Sequence, residues 1–455
     1  MSKKDSAESI ISGSPEEIAE LMKSASHPAR VRVLTLLLQG EKRFSQLMQS
    51  TGQSKTALAN HLDQLVEKRL VERVSRGEYR LTSSGAELVK TTVRIYNNSA
   101  MKKEGREKRL LRSYAESFAS GRRTITKKVE HVFSWLSYTS AMAASLKALG
   151  VSVDKIDVGG YSGYSFLVNV SEGIISPAGP TALSMRTWDE IVKGTESLGW
   201  ILERYEYPHS YPMKEGNPTR EEIEIARRLF IRIKKEIDEK ERPVVLWGVF
   251  APIYGVVNGY DGESYVTTES REGISTEKLL PFSDMRAPGH IDAFFFRNGM
   301  EANLKKAKVE ALARALDFAS GRTPIVDGFV AGPRAFDEWA ETLMHLRRGD
   351  QDYMGNSYLG ACVAEGHIMA SEFLRRIAND FDRNTSQNLH GVVTLCNNSA
   401  KLMEEFSRLF PFKYQGEISL THRKKGADIL KKVAMLEEET VVKLRNTVKG
   451  IVSES

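Results

Sequence analysis

Cysteine is nearly missing from this sequence. Only Cys362 and Cys396 occur in 455 residues, both in apolar, helix-patterned stretches, so a disulfide framework or a cysteine-rich metal site is excluded by count. Long apolar runs are missing as well. Val244 to Phe250, around Trp247, is among the longest and falls far short of the roughly 20 residues that a bilayer span needs. Met1 opens onto Ser2, Lys3, Lys4 and Asp5 rather than an apolar signal core. The expectation is a soluble, cytoplasmic protein without a membrane partner. The nine histidines contain no His-x-x-x-His pair, so no metal site is indicated. Gly159-Gly160-Tyr161-Ser162-Gly163 lacks the Gly-Lys-Ser/Thr ending of a phosphate-binding loop and the glycine spacing of a dinucleotide fingerprint. No cofactor is expected.

The length predicts two or three domains. The charge is unevenly placed: residues 1–125 carry +9, against +6 for the whole chain, which leaves −3 for the remainder. A basic segment joined to a near-neutral one is the electrostatic footprint of a nucleic-acid reader with a separate second function.

The N-terminal pattern is explicit. Ser14-Pro15-Glu16-Glu17 reads as a helix start, with proline at the first helical position and acidic residues against the helix dipole. A second helix runs through Val31, Val33, Leu34, Leu36 and Leu37 to a stop at Gly40. Phe44 to Ser50 gives a third, Thr51-Gly52-Gln53 a turn, and Ser54 to Leu65 a fourth with the apolar stripe Leu58, Leu62, Leu65. Leu70 to Val74 and Glu78 to Leu81, around Ser75-Arg76-Gly77, read as a β-wing. Ala86 to Tyr96 resumes a helix of the kind that commonly packs against a second subunit.

Opposite the leucine stripe lie Gln53, Thr56, Asn60 and Gln64, flanked by Ser54, Lys55 and His61. This set suits base edges in a major groove, with Asn60 and Gln53 fitted to adenine. Arg73, Arg76 and Arg80 in the wing suit phosphates or the minor groove. These ten residues are the expected DNA-binding set. The stretches Ser26-His27-Pro28-Ala29-Arg30 to Leu34, Ser54 to Leu62 and Arg73 to Gly77 resemble the ArsR class of winged-helix repressors over about residues 15–96. That resemblance implies a homodimer on double-stranded DNA that an effector releases. The metal-sensing cysteines of many members are replaced here by Phe44-Ser45-Gln46-Leu47-Met48. The competing reading of the winged helix is a protein-interaction module.

Residues 99–125 read as a charged connecting helix or hinge, centred on 102–112. Beyond them the pattern mixes a helix at Ser140 to Leu149, β-like runs at Ser165 to Val170, Val244 to Phe250, Gly255 to Val257 and Ala293 to Phe296, and a nearly all-helical stretch over 300–450. The expected fold class is α+β, with domains at 14–98 and 126–455 on either side of the hinge. Trp135 to Gly150, Gly159 to Tyr164, Pro243 to Asp261 and Ile291 to Phe294 together resemble the papain-like domain of the butirosin-biosynthesis acyltransferase and the bacteriocin-processing peptidases.

In that family a cysteine starts the first helix and a histidine precedes a Gly-Tyr-Asp turn, because the attacking sulfur must be deprotonated. Tyr138, Thr139, Ser140 and Ala141 stand at the first place here, and Ile253 and Tyr254 at the second. The resemblance therefore implies a pseudoenzyme with no catalytic residue, which binds an unidentified small molecule or peptide. Tyr161, Tyr164, Trp247, Phe250, Tyr254 and Tyr260 are the expected ligand-binding walls, although aromatic residues in strands also serve as core. The alternative is an acyltransferase or hydrolase that uses Ser140, a residue that reads equally as a helix N-cap.

Overall fold

The computed structural model describes residues 13–97, 121–127, 129–207, 218–271, 274–323, 326–345, 352–412 and 418–454. The chain divides into two compact units, residues 1–116 and 117–455.

The first unit is α1 (Pro15–Ala25), α2 (Pro28–Leu37), β1 (Lys42–Arg43), α3 (Phe44–Thr51), α4 (Lys55–Glu67), β2 (Val71–Ser75), β3 (Glu78–Leu81) and α5 (Ser83–Asn97). Local chemistry sets most of these boundaries. His27 caps α2 by accepting from the Ala29 amide through Nδ1 at 3.1 Å, and Pro28 fills the first helical position, where a missing N–H costs nothing. Ser14 precedes Pro15 as expected, but its side chain makes no capping bond. Gly52 ends α3 in the left-handed conformation at φ 65°, which bends the chain directly into α4. Ser54 caps α4 through the Ala57 amide at 3.3 Å.

The wing turns at Gly77, φ 77°, and β1 adds a third strand in the order β1-β3-β2. Leu58, Leu62 and Leu65 are fully buried with Val33, Leu34 and Leu47. At about 1.5–3 kcal/mol per buried aliphatic side chain, that stripe fixes the orientation of α4.

The second unit opens with β4 (Arg122–Thr124) and α6 (Ser137–Ala148), followed by α7 (Lys155–Tyr161), a single 3-10 turn at Tyr164–Phe166, β5 (Asn169–Ser171), α8 (Met185–Glu196), β6 (Trp200–Tyr207) and α9 (Arg220–Lys240). Then come β7 (Val244–Trp247), β8 (Tyr254–Asp261), β9 (Ser264–Arg271), β10 (Ile274–Pro281) and β11 (Ile291–Gly299). The last part is α10 (Leu304–Ala319), β12 (Phe329–Ala331), α11 (Pro333–Met344), α12 (Asp352–Ile377), α13 (Arg383–Leu409) and α14 (Leu420–Glu454). This is the α+β mixture expected from the sequence.

Seven strands form one sheet in the order β10-β9-β8-β7-β11-β6, with β4 also paired to β8. Helix α6 is buried along nearly its whole length, and it packs on β7 and β8. A second core joins α11 to α14 through Trp339, Phe406 and Leu430.

Two expectations need correction. Residues 122–124, assigned to the end of the hinge, are a strand whose Arg122 pairs with Asp261 in β8. The remaining hinge residues, 99–120, lie outside the described residues. The β-like run from Ser165 begins instead as the 3-10 turn, because Gly163 enters it at φ 77° and Phe166 donates back to the Gly163 carbonyl. The Gly159-Gly160 pair serves packing. A Cβ at Gly160 would stand 2.0 Å from Phe373 Cγ, and one at Gly159 2.5 Å from Met369 Cε, so α7 can cross α12 closely only without side chains there.

Candidate functional site

Helix α4 presents its polar face outward. Ser54, Lys55, Thr56, Asn60 and Gln64 are exposed, while Gln53 and His61 are half-buried. At about 100° per residue Thr56, Asn60 and Gln64 share one side, away from the buried leucines. Two of the expected contacts already have partners. Gln64 accepts from Arg30 of α2. His61 stacks on His27 with ring centroids 4.4 Å apart. Burial, and then the neighbouring His27 and Arg30, hold the His61 pKa below its usual value, which favours the neutral imidazole.

The three wing arginines divide. Arg73 pairs with Asp63 of α4, and Arg80 with Glu72 and Glu41. The hydrogen bond and charge of Glu72 raise the Arg80 pKa. Arg76, at the turn, has no ion-pair partner among the described residues. It is the wing arginine whose charge is not engaged by a carboxylate, unlike Arg73 and Arg80. Those pairs are exposed, and exposed pairs are weak enough to exchange.

The six expected ligand-binding aromatics do not line one cavity. Tyr164, Trp247 and Tyr254 join one aromatic cluster. Tyr138 lies at its centre, with ring centroids 5.7 Å from Tyr164, 5.6 Å from Trp188, 5.6 Å from Tyr254 and 5.4 Å from Phe294. Trp247 packs on Tyr254 at 4.9 Å. Tyr161 meets Phe373 edge to face instead. Tyr260 donates to Asp238 at 2.7 Å, and burial raises its pKa to about 12. Phe250 is exposed beneath Lys278. A cavity of about 10 Å³ beside Tyr164 and Cys362 is lined by none of the other five, and is too small for more than a water. Burial raises the thiol pKa of both Cys362 and Cys396, which keeps them protonated.

Beside the aromatic cluster sits a polar centre that the sequence did not disclose. Asp292 on β11 is fully buried. It accepts from Tyr254 Oη at 2.7 Å, and from Arg204 Nε and Nη2 at 3.0 and 3.1 Å. His290 Nε2 stands 3.6 Å away, beyond hydrogen-bond range but within electrostatic reach. Burial alone would raise the Asp292 pKa, yet His290 and Arg204 outweigh it and keep the carboxylate ionised. Arg204 also covers the Trp188 ring at 4.9 Å. At the start of α6, Ser137 Oγ accepts from the Tyr254 amide at 3.0 Å. Burial raises the pKa of Tyr138 and Tyr254, so neither phenol ionises near neutrality.

Ser140 has a neighbour that sequence reasoning missed. His131 Nε2 lies 3.2 Å from Ser140 Oγ, and His131 Nδ1 lies 3.1 Å from the Thr268 carbonyl. Burial lowers the His131 pKa. The pair is only 4 % and 9 % exposed, and Ser140 Oγ is also 3.2 Å from the Ser137 carbonyl. Nothing in the sequence marks His131 as this partner, because it sits in an irregular segment that only the fold brings to α6.

No described helix is long and apolar enough to cross a membrane. No curated protein matches the chain. Residues 27–73, from the cap of α2 through Arg73 in β2, match the family model described as bacterial regulatory protein, arsR family, so the first unit carries an ArsR-family helix-turn-helix.

Proposed function

We propose that this protein is a homodimeric transcriptional regulator that reads duplex DNA through α4 and the wing, and responds to a ligand or partner held by its second unit. The observation that carries the reading is the family match over 27–73 together with the outward face of Thr56 and Asn60. Dimerisation is supported by apolar side chains left on the outside of two helices that both pack on α2. These are Leu21 and Met22 on α1, and Val93 and Ile95 on α5. Paired recognition helices would address half-sites roughly 34 Å apart.

The papain-like reading of the second unit is supported by the convergence of α6, β8 and β11 at one point. On this reading Tyr138 to Ala141 take the place of the family's thiol and Ile253 and Tyr254 that of its imidazole; Tyr254 bonds both Ser137 at the start of α6 and Asp292 on β11. Two protonated phenols supply neither a nucleophile nor a base at neutral pH, which favours binding without turnover. A ligand then shifts DNA affinity by its unequal affinity for the two dimer states, tenfold corresponding to about 1.4 kcal/mol.

The rival reading, a hydrolase or acyltransferase using Ser140, gains a base in His131. Attack on a carbonyl needs room for the substrate beside Oγ, and both side chains are sealed. Turnover of peptide, ester or acyl-thioester substrates that disappears in Ser140→Ala and in His131→Gln would establish it.

The regulator is tested by selecting duplexes from a random pool with the full chain. Asn60→Ala should relax base preference at one position by about 1–3 kcal/mol, and Arg76→Ala should weaken all duplexes alike while lowering the salt slope by about one. If no sequence is enriched and neither variant changes affinity, the reading is lost.

A further inference from the structure

Between α8 and α10 the second unit holds an open cleft of about 480 Å³, within the size range of small-molecule sites. Its walls are charged. Arg186, Glu190 and Lys193 follow one another along α8 at intervals of four and three residues, and Glu310, Arg314 and Asp317 repeat the same intervals along α10. Those intervals place each set on one helix face. The signs are opposite: positive, negative, positive on α8, and negative, positive, negative on α10. The helices themselves meet, but along the cleft the facing charges stand apart, and the ion pair across it among the described residues is Arg314 Nε to Glu190 Oε2 at 3.8 Å. Arg186, Lys193 and Asp317 have no ion-pair partner among the described residues.

Arg314 is the fixed point of the cleft. It is 6 % exposed, and its Nη1 donates to the Tyr161 carbonyl at 2.6 Å. Its Nε is sealed from solvent and has no hydrogen-bond partner, a costly state for a buried guanidinium. Burial pulls its pKa down. The backbone around it is shaped to admit the side chain. A Cβ at Gly194 would lie 2.9 Å from Arg314 Nη1, and one at Gly163, which is also left-handed at φ 77°, 2.9 Å from Arg314 Cγ.

We infer that this cleft binds a small zwitterion, its carboxylate or phosphate drawn to Arg314 and the cations of α8, and its ammonium to the carboxylates of α10. A pure anion would face Glu190, Glu310 and Asp317, and a pure cation would face Arg186, Lys193, Arg314 and Arg322. Only a molecule carrying both charges completes both stripes. The chemistry is that of an amino acid or an aminoalkyl phosphate.

Calorimetric titration of the full chain separates these sources. The probes are L-glutamate and phosphoethanolamine as zwitterions, succinate and inorganic phosphate as anions, and putrescine as cation. At least one zwitterion should saturate at no more than millimolar concentration, tenfold or more tighter than every single-charge probe. Ala313→Trp, which fills the cleft from an unstrained helical position, should abolish that binding, and Arg314→Gln should weaken it at least tenfold. Where Arg314→Gln fails to fold, Arg186→Gln at the exposed rim takes its place. Zwitterions binding no better than single-charge probes, or binding that survives Ala313→Trp, overturns the inference. Its link to regulation rests on the sensor reading above. A zwitterion that binds here and leaves DNA affinity unchanged overturns that sensor reading alone, while absence of binding overturns the cleft and leaves DNA recognition by α4 intact.

Discussion

Asn60, midway along α4, and Asp292, near the start of β11, are both polar residues of a regular element, and the two units treat them in opposite ways. Asn60 stands exposed on α4 with its neighbours Thr56 and Lys55. Asp292 is fully enclosed on β11, with Arg204 and Tyr254 satisfying its oxygens. A side chain turned to water keeps its hydrogen-bonding capacity for a partner yet to arrive. One already saturated inside a core spends that capacity on the fold. The contrast leaves the first unit's polar surface open to a partner and makes Asp292 a satisfied member of the second unit's interior.

The comparison breaks first at Asp292. Asp292→Ala leaves the buried Arg204 with only Glu206 at 3.7 Å as a carboxylate partner, and loss of one member of such a buried pair costs about 3–5 kcal/mol. Chemical denaturation should show that loss, while a variant of unchanged stability that binds a ligand less well would turn the centre back into a site. Gly160→Ala comes next. Its methyl group would collide with Phe373 in a packed helix crossing, and overpacking of this kind costs about 1–3 kcal/mol. A lowered melting temperature with unchanged DNA affinity of the folded protein is expected.

A smaller effect belongs to His367 on α12, which is buried, donates through Nε2 to Glu437 Oε1 at 2.8 Å and through Nδ1 meets the Val363 carbonyl at 2.7 Å. Burial alone would lower its pKa, but the charge and hydrogen bond of Glu437 prevail and raise it. The folded pKa thus exceeds the unfolded value of about 6.5, so the contribution is complete below about pH 6.5 and is lost as pH rises through the folded value. Melting curves across that window should fall with pH more steeply in the natural protein than in His367→Gln. The smallest change is Asp63→Asn, which releases Arg73 to the wing. DNA affinity should rise modestly, with a salt slope steeper by about one.

Much of the first unit was legible because its signals are local. Pro15 and Pro28, Gly52 and Gly77 each fix a boundary through their own backbone constraints, and three leucines mark the inner face of α4. What the sequence hid there was occupancy, since Arg73, Arg80 and Gln64 read as free contacts and are already engaged within the unit. In the second unit the β9–β10 hairpin went unread although Asp261-Gly262 marks the turn into β9. Tyr265, Val266, Thr267 and Thr268 are all buried, so the strand lacks the alternation that betrays a half-exposed one. The aromatic residues taken as pocket walls carry the same composition in a core as in a site, and only their packing around Tyr138 distinguishes the two. Arg314 and His131 gave no signal, because what matters about each is a neighbour more than eight residues away.

Amide hydrogen exchange of the full chain, with and without a selected duplex, tests the central claim most directly. DNA contact through α4 and the wing predicts new protection over residues 53–64 and 75–78, with the amides around Tyr138 and Asp292 unchanged. Unaltered exchange over 53–64 with a tightly bound duplex, or protection confined to residues beyond 117, would contradict it.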